Sequence, residues 1–179
     1  MQINPLKIEG TYEIVPVLHG DGRGYFAETY LGKRFEETGL VTDWTQDNRA
    51  MSSRPHTLRG FHFQSGETAQ TKLVSAAQGR VLDVIVDIRK GSDTFGHWDS
   101  LILDSDQCNS IYVPKGFAHA YLTLSETAVV QYKVDAPYAP EREGGIRWND
   151  PDLAIEWPTD SPVLSDRDRS LPYLKDLEG

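Results

Sequence analysis

The chain has 179 residues, 39% of them hydrophobic and 25% charged, enough for one core that buries roughly 70% of the unfolded surface without disulfide staples. Its 27 acidic against 18 basic residues give a formal charge of −9, which opposes broad adhesion to nucleic acid or to an anionic membrane. The single cysteine, Cys108, excludes an intramolecular disulfide and a cysteine-based zinc cluster, and fits a reducing, cytoplasmic setting.

The first residues, Met1-Gln2-Ile3-Asn4-Pro5-Leu6, have neither the basic start nor the apolar run of a signal peptide. No stretch of about 18 apolar residues predicts a membrane span. A glycine-rich turn follows, His19-Gly20-Asp21-Gly22-Arg23-Gly24-Tyr25-Phe26-Ala27-Glu28. It lacks the Gly-x-x-x-x-Gly-Lys-Ser/Thr order of a nucleoside-triphosphate loop. Arg23 therefore reads either as a surface arginine or, with Arg59, as half of a bidentate clamp on a diphosphate. Between Gly32 and Gly39 the order Lys33-Arg34-Phe35-Glu36-Glu37-Thr38 predicts one short helix closed by Gly39.

Beyond it, short runs rich in Val and Ile alternate with turn signals and no stretch sustains a 3.6-residue period, so the chain is predicted to be mainly β. Leu58-Arg59-Gly60-Phe61-His62-Phe63-Gln64 is one such strand. His62, between two phenylalanines, points opposite to both and enters a barrel if they pack outside. Histidine as a residue type suits general-base work, and here His62 equally suits a hydrogen-bonded core position. With Arg59 and Lys72 it completes a trio, within fourteen residues, able to bind an anion, take a proton and steady an oxyanion.

Lys72-Leu73-Val74-Ser75-Ala76-Ala77 and the run from Arg80 to Ile88, separated by Gln78-Gly79, are predicted to pair as a hairpin carrying Lys72 at its start. In the second strand Leu82, Val84, Val86 and Ile88 form a core face, while Asp83 and Asp87 make the other face partly polar. Further strands are predicted over 100–103, 110–113, 118–123 and 128–134.

Pro114-Lys115-Gly116-Phe117-Ala118-His119 reads as a tight turn entering a strand, and Pro-x-Gly-x-x-His is half of the metal signature of cupin barrels. Its other half usually offers His-x-His and a glutamate. Here His62-Phe63-Gln64 and Glu67 fall short of a ligand set for iron, manganese or zinc. Tyr132, in a predicted strand, reads as a packing residue or as a phenolic proton donor. The tail after Trp148 holds Pro151, Pro158, Pro162 and Pro172 and is predicted to be extended, with a helical turn at most, and placed to cover a barrel mouth. Within it, Leu164-Ser165-Asp166-Arg167-Asp168 is either a solvated turn or the source of a carboxylate that orients a histidine. No repeat, low-complexity tract or linker divides the chain, so one domain over 1–179 is expected. Short strands with turns every eight to twelve residues predict a sandwich, jelly roll or barrel.

As a series, several blocks resemble the dTDP-4-dehydrorhamnose 3,5-epimerase family, sugar-nucleotide epimerases of the cupin superfamily. They are Asp21 to Glu28, Gln46-Asp47-Asn48, Leu58 to Gln64, Ala69 to Val74, Asp83 to Ser92, Pro114 to His119 and Trp148-Asn149-Asp150-Pro151. The resemblance runs in order over nearly the whole chain. It implies an all-β, cupin-type jelly-roll β-barrel with a few short helices. It also implies an isomerase of dTDP-L-rhamnose biosynthesis that inverts C3 and C5 of dTDP-4-keto-6-deoxy-D-glucose through an enolate, with no cofactor or metal.

Matched motif to motif, His62 is the base, Asp168 its orienting carboxylate, Lys72 the enolate stabiliser and Tyr132 the acid on the opposite face. The same matching assigns Arg23 and Arg59 to the diphosphate, and Glu28, Gln46, Asp47 and Asn48 to the nucleotide. Phe26 and Tyr138 are matched to thymine stacking, and His119 and Glu143 to the pocket wall. Arg167 takes a substrate-binding position where the family usually has lysine. A homodimer exchanging an N-terminal strand is implied as well. Two departures stand near catalytic positions: Tyr121 where Gly-Phe is more usual, and Gln131 where an apolar residue precedes the tyrosine. They leave open a 3-epimerase of another deoxysugar pathway. A metal-dependent cupin oxygenase and a non-catalytic sugar-nucleotide-binding barrel are the more distant alternatives.

Overall fold

The computed structural model describes residues 1–177. Along the chain come β1 (Gln2–Pro5), β2 (Tyr12–Val15), β3 (Leu18–Asp21), β4 (Gly24–Ala27), α1 (Gly32–Glu37), β5 (Gln46–Ser52), β6 (Leu58–Gln64) and β7 (Lys72–Gln78). They are followed by β8 (Arg80–Asp87), β9 (Trp98–Asp104), β10 (Ser110–Val113), β11 (Phe117–Thr123), β12 (Ala128–Val134), β13 (Glu143–Gly145) and α2 (Asp166–Arg169). Two antiparallel sheets face each other, one ordered β1-β2-β10-β7-β12-β5 and the other β13-β6-β11-β8-β9, while β3 and β4 form a separate hairpin. This is the jelly-roll β-barrel expected. Among the described residues no helix is long and apolar enough to cross a membrane.

The interior between the sheets is filled from both sides, by Val74, Ala76, Ile111, Val113 and Val130 of one and Val81, Ile85, Leu103, Phe117 and Tyr121 of the other. Outside the second sheet, Phe61, Val84 and Val86 pack against Ile146, Leu153 and Leu174 of the tail. Outside the first, α1 inserts the fully buried Phe35 beside Ile14, Leu73 and Tyr112. The helix ends as predicted, with Gly39 at φ +73 donating to the Glu36 carbonyl at 3.0 Å.

The predicted hairpin of residues 72–77 with 80–88 does not form. β7 pairs with β10 and β12, whereas β8 pairs with β9 and β11 in the opposite sheet. Gly79, at φ +74, turns a corner between sheets, and a Cβ there would run into the Thr127 carbonyl and the Ser125 hydroxyl. Both faces of β8 are consequently covered. Its apolar face meets the tail, and its partly polar face, with Asp83 fully buried, lines the barrel interior.

A second glycine sets the distance between the two strands that carry histidines. Gly60 has φ +114, and a Cβ on it would stand 2.6 Å from the His119 carbonyl and 2.8 Å from Ala120. With that contact as close as backbone allows, His62 of β6 and His119 of β11 are register partners. The tail then wraps the outer face of the second sheet, pinned by Leu174 N–H to Asp150 at 2.6 Å and by Trp98 Nε1–H to the Leu153 carbonyl at 2.9 Å. A parallel bridge between Thr57 and Val163 returns it to the open end of the barrel, where α2 sits.

Candidate active site

A cavity of about 500 Å³ opens at that end, lined from β6 by Arg59 and His62, from β7 by Lys72, from β11 by His119 and Tyr121, and from β12 by Tyr132. Tyr138, Glu143, Arg167 and Asp168 complete its wall. Strand alternation explains His62: Phe61 and Phe63 pack on the outer cluster, so the ring between them points inward.

Asp168 crosses 106 residues of sequence to place Oδ1 2.7 Å from His62 Nε2. Its own position is set by α2, whose capping residue Ser165 accepts the Asp168 N–H at 3.1 Å. Burial raises the Asp168 pKa, but hydrogen bonds from His62, Ser165 and the Gly60 backbone outweigh it and hold the carboxyl below its usual range. The result is a carboxylate that fixes one ring nitrogen of His62 and leaves the other to the cavity.

A second acid–histidine pair stands beside it. His119 Nε2 lies 2.8 Å from Asp83 Oδ2, and Asp83 is fully buried while its Oδ1 has no hydrogen-bond partner among the described residues. Burial pushes the Asp83 carboxyl up, opposed by His119 and Lys72. Lys72 is 8% exposed, and burial lowers its ammonium to about 8 despite Asp83 and Glu143. Its Nζ is 3.5 Å from the His62 carbonyl oxygen, so the cation stands beside the base. Tyr132 projects from the opposite sheet, and burial together with Glu143 raises its phenol against the opposing effect of Arg59.

At the mouth, Glu143 accepts from the Tyr138 hydroxyl at 2.6 Å and from Arg167 at 2.8 Å, which keeps its carboxyl ionised against burial. The Tyr138 backbone N–H donates to Gln46 at 3.1 Å, and Gln46 in turn donates to Asn48 at 2.7 Å. Buried Gln64 holds the same loop through Ala139 and the Pro137 carbonyl. Arg59 is fixed at the cavity edge by the Met51 carbonyl at 3.0 Å and Ser52 at 3.3 Å.

Not every expected residue gathers here. Arg23, Phe26 and Glu28 sit on or just after the β3–β4 hairpin, outside the cavity, with the Arg23 side chain 91% exposed and paired with Asp21, and Phe26 70% exposed. Asp47 points to the outer face of the first sheet, beside a different cavity of about 420 Å³ that Tyr25 also lines, whereas Asn48 alternates to the face of its register partner Tyr132 and accepts from Gln46. Of the two departures, Gln131 points to that outer face and pairs with Arg49, whereas Tyr121 lies inside the site.

Asp83 and Tyr121 were not among the expected site residues. Asp83 carried one signal, an acid between buried Val81 and Ile85 on the same strand face, which demands a partner. Nothing local names His119 as that partner. Among the described residues no group of three or more His, Cys, Asp or Glu stands together as a metal ligand set.

Comparison with known proteins gives a consistent neighbourhood. The family model described as dTDP-4-dehydrorhamnose 3,5-epimerase matches residues 5–176. A curated Escherichia coli dTDP-4-dehydrorhamnose 3,5-epimerase is 43% identical over 179 residues, covering 99% of this chain and 96% of that protein. The crystal structure of the Bacillus anthracis enzyme of the same name, with TDP and PPi bound, superposes with TM-score 0.93 at 44% identity, covering 96% of this chain and 98% of that one. A 3'-monoepimerase from Streptomyces bikiniensis in complex with dTDP-quinovose is also similar, with TM-score 0.90 at 38% identity, covering 96% and 87%.

Proposed function

The chain belongs to the dTDP-4-dehydrorhamnose 3,5-epimerase family, and on that premise we propose that it inverts C3 and C5 of dTDP-4-keto-6-deoxy-D-glucose in dTDP-L-rhamnose biosynthesis. The observation that carries the mechanism is that His62 and Tyr132 enter one cavity from opposite sheets, with Lys72 beside the histidine. Both C–H bonds lie α to the C4 ketone. His62, oriented by Asp168, takes the proton from C3, and the C–H electron pair moves into the carbonyl to leave charge on one oxygen. Lys72 stands where that oxygen is stabilised. Tyr132 then gives a proton to the other face of the same carbon, which inverts it, and the sequence repeats at C5. Proton exchange with solvent resets base and acid, so the reaction is an isomerisation without net redox change.

Arg59 serves the diphosphate, His119 and Glu143 the sugar, and Arg167 and Tyr138 the mouth of the site. The exposed positions of Arg23, Phe26 and Glu28 support a homodimer in which the β3–β4 hairpin reaches the partner's cavity, with Asp47 on the face beneath it. We read residues 1–179 as one catalytic domain. A nucleotide-sugar substrate and a single cysteine support a cytoplasmic setting.

Turnover of dTDP-4-keto-6-deoxy-D-glucose in deuterium oxide, coupled to an NADPH-dependent 4-ketoreductase and read by NMR, tests substrate and stereochemistry together. Label at both C3 and C5 is expected; label at C3 alone makes the protein a 3-epimerase. Strand exchange is tested by mixing Arg23→Ala and His62→Asn subunits. If Arg23 acts across the dimer, the hybrid recovers one intact site; if it acts within its own chain, no activity returns.

A further inference from the structure

Tyr121 is the one cavity phenol that the mechanism above leaves without a role. It is 5% exposed, lies on β11 two residues beyond His119, and its ring centroid is 6.2 Å from that of His119. Across the strands its register partners are Asp83 on β8 and Arg59 on β6. Burial pushes the phenol well above its ordinary value, with Tyr132, Asp83 and Asp168 adding to the effect and Arg59 opposing it. The group is therefore an O–H donor throughout the working pH range. Among the described residues neither the Tyr121 nor the Tyr132 hydroxyl has a hydrogen-bond partner. For Tyr132 the proposed acid role accounts for that freedom; for Tyr121 nothing yet does.

A donor that faces a cavity with no protein partner is free for an acceptor that a ligand supplies. The neighbourhood says what kind of acceptor. Arg59 is pinned at the cavity edge by Met51 and Ser52, so an anion gripping its remaining N–H groups is presented at a fixed place. On β11 Tyr121 is the register partner of Arg59 on one side and of Asp83, the acid that holds His119, on the other, and Arg59, Tyr121 and His119 line one cavity. A neutral donor on the strand between a cation and the acid–histidine pair matches an anionic group whose far end continues into the catalytic chamber.

We propose that Tyr121 is a further substrate-binding residue whose hydroxyl donates to the sugar-side phosphoryl group held by Arg59. The inference rests on the reading of Arg59 as a diphosphate ligand. Tyr121 thereby sets the depth at which the sugar hangs between His62 and Tyr132, adding a directional contact to a purely ionic grip.

Calorimetric titration of dTDP and dTMP into the wild-type protein and the Tyr121→Phe and Arg59→Ala variants tests it. Tyr121→Phe should weaken dTDP binding about 10- to 100-fold, the range for a hydrogen bond to a charged group, and leave dTMP binding unchanged, since dTMP lacks the sugar-side phosphate. Its melting temperature should equal or exceed that of the wild type, because no protein partner is lost. Unchanged dTDP affinity in Tyr121→Phe alongside a large loss in Arg59→Ala overturns the inference alone. Unchanged affinity in Arg59→Ala overturns the diphosphate reading beneath it. Equal losses for dTDP and dTMP, or a lowered melting temperature, also overturn the proposal, since they reveal a structural role.

Discussion

Replacing Lys72 by methionine keeps the length of the side chain and removes its charge. Burial holds the Lys72 ammonium at about 8, against an ordinary 10.5, even with Asp83 and Glu143 nearby. The sign follows from proton linkage. As pH falls from 10.5 the unfolded chain takes the proton first, so folding is progressively disfavoured, and the full cost is present below about pH 8. At about 1.4 kcal/mol per tenfold change, that cost is about 3 kcal/mol. Removing the cation also leaves Asp83 with less compensation, which returns part of the gain.

Lys72→Met should therefore stabilise the protein by about 1–3 kcal/mol at pH 7, or about 2–10 °C in melting temperature for a chain of this size. It should lower kcat by about 10²–10³-fold through loss of the enolate stabiliser. Thermal melts of both proteins between pH 7 and pH 10.5 provide the assay, with the wild type gaining on the variant until the gap closes near pH 10.5. A variant that melts below the wild type at pH 7, or a gap that does not narrow with pH, would refute the reasoning.

Asp168→Asn should keep KM and lower kcat by about 10²–10⁴-fold, because the amide no longer holds His62 in its working orientation. As the Asp168 carboxyl is held below its ordinary range, its contribution to stability is present above about pH 4 and disappears as pH falls further. Acid melts should accordingly show a shallower loss in the variant. Tyr132→Phe is expected to allow solvent deuterium exchange at C3 while abolishing inversion, as read by NMR; loss of both, or of neither, argues against Tyr132 as the acid. Gly60→Ala puts a methyl group against the His119 carbonyl and Ala120 at a position with φ +114. It should cost about 2–4 kcal/mol in chemical denaturation and reduce activity by spreading the two histidine strands.

Much of the site was legible in order along the chain because its signals are local. A period of two aims His62 inward, a glycine with φ +73 ends the one predicted helix, and Gly116 at φ +85 turns the chain into the strand of His119. The strands from Leu58 onward follow from the same short-range rules, which leave sandwich, jelly roll and barrel open, and the family resemblance selects the jelly roll. Where short-range rules were ambiguous the reading failed. Gly79 fits a hairpin and a corner between sheets equally well, and only burial of both faces of β8 selects the corner.

The composition and periodicity of the chain thus determine a mainly β fold with His62 between two outward phenylalanines, and the order of its motifs, through the family resemblance, supplies the barrel and the roles of base, cation and acid. Tertiary structure alone decides which groups meet. The Asp168–His62 pair spans 106 residues and the Asp83–His119 pair 36, and no local signal encodes a partner at such a distance. It likewise separates Tyr121, inside the cavity, from Gln131, outside it, and leaves Arg23 and Phe26 on an exposed hairpin. The physical reason is that burying a charge or a donor is costly in isolation, so its place is settled by whatever the whole fold brings within hydrogen-bonding distance.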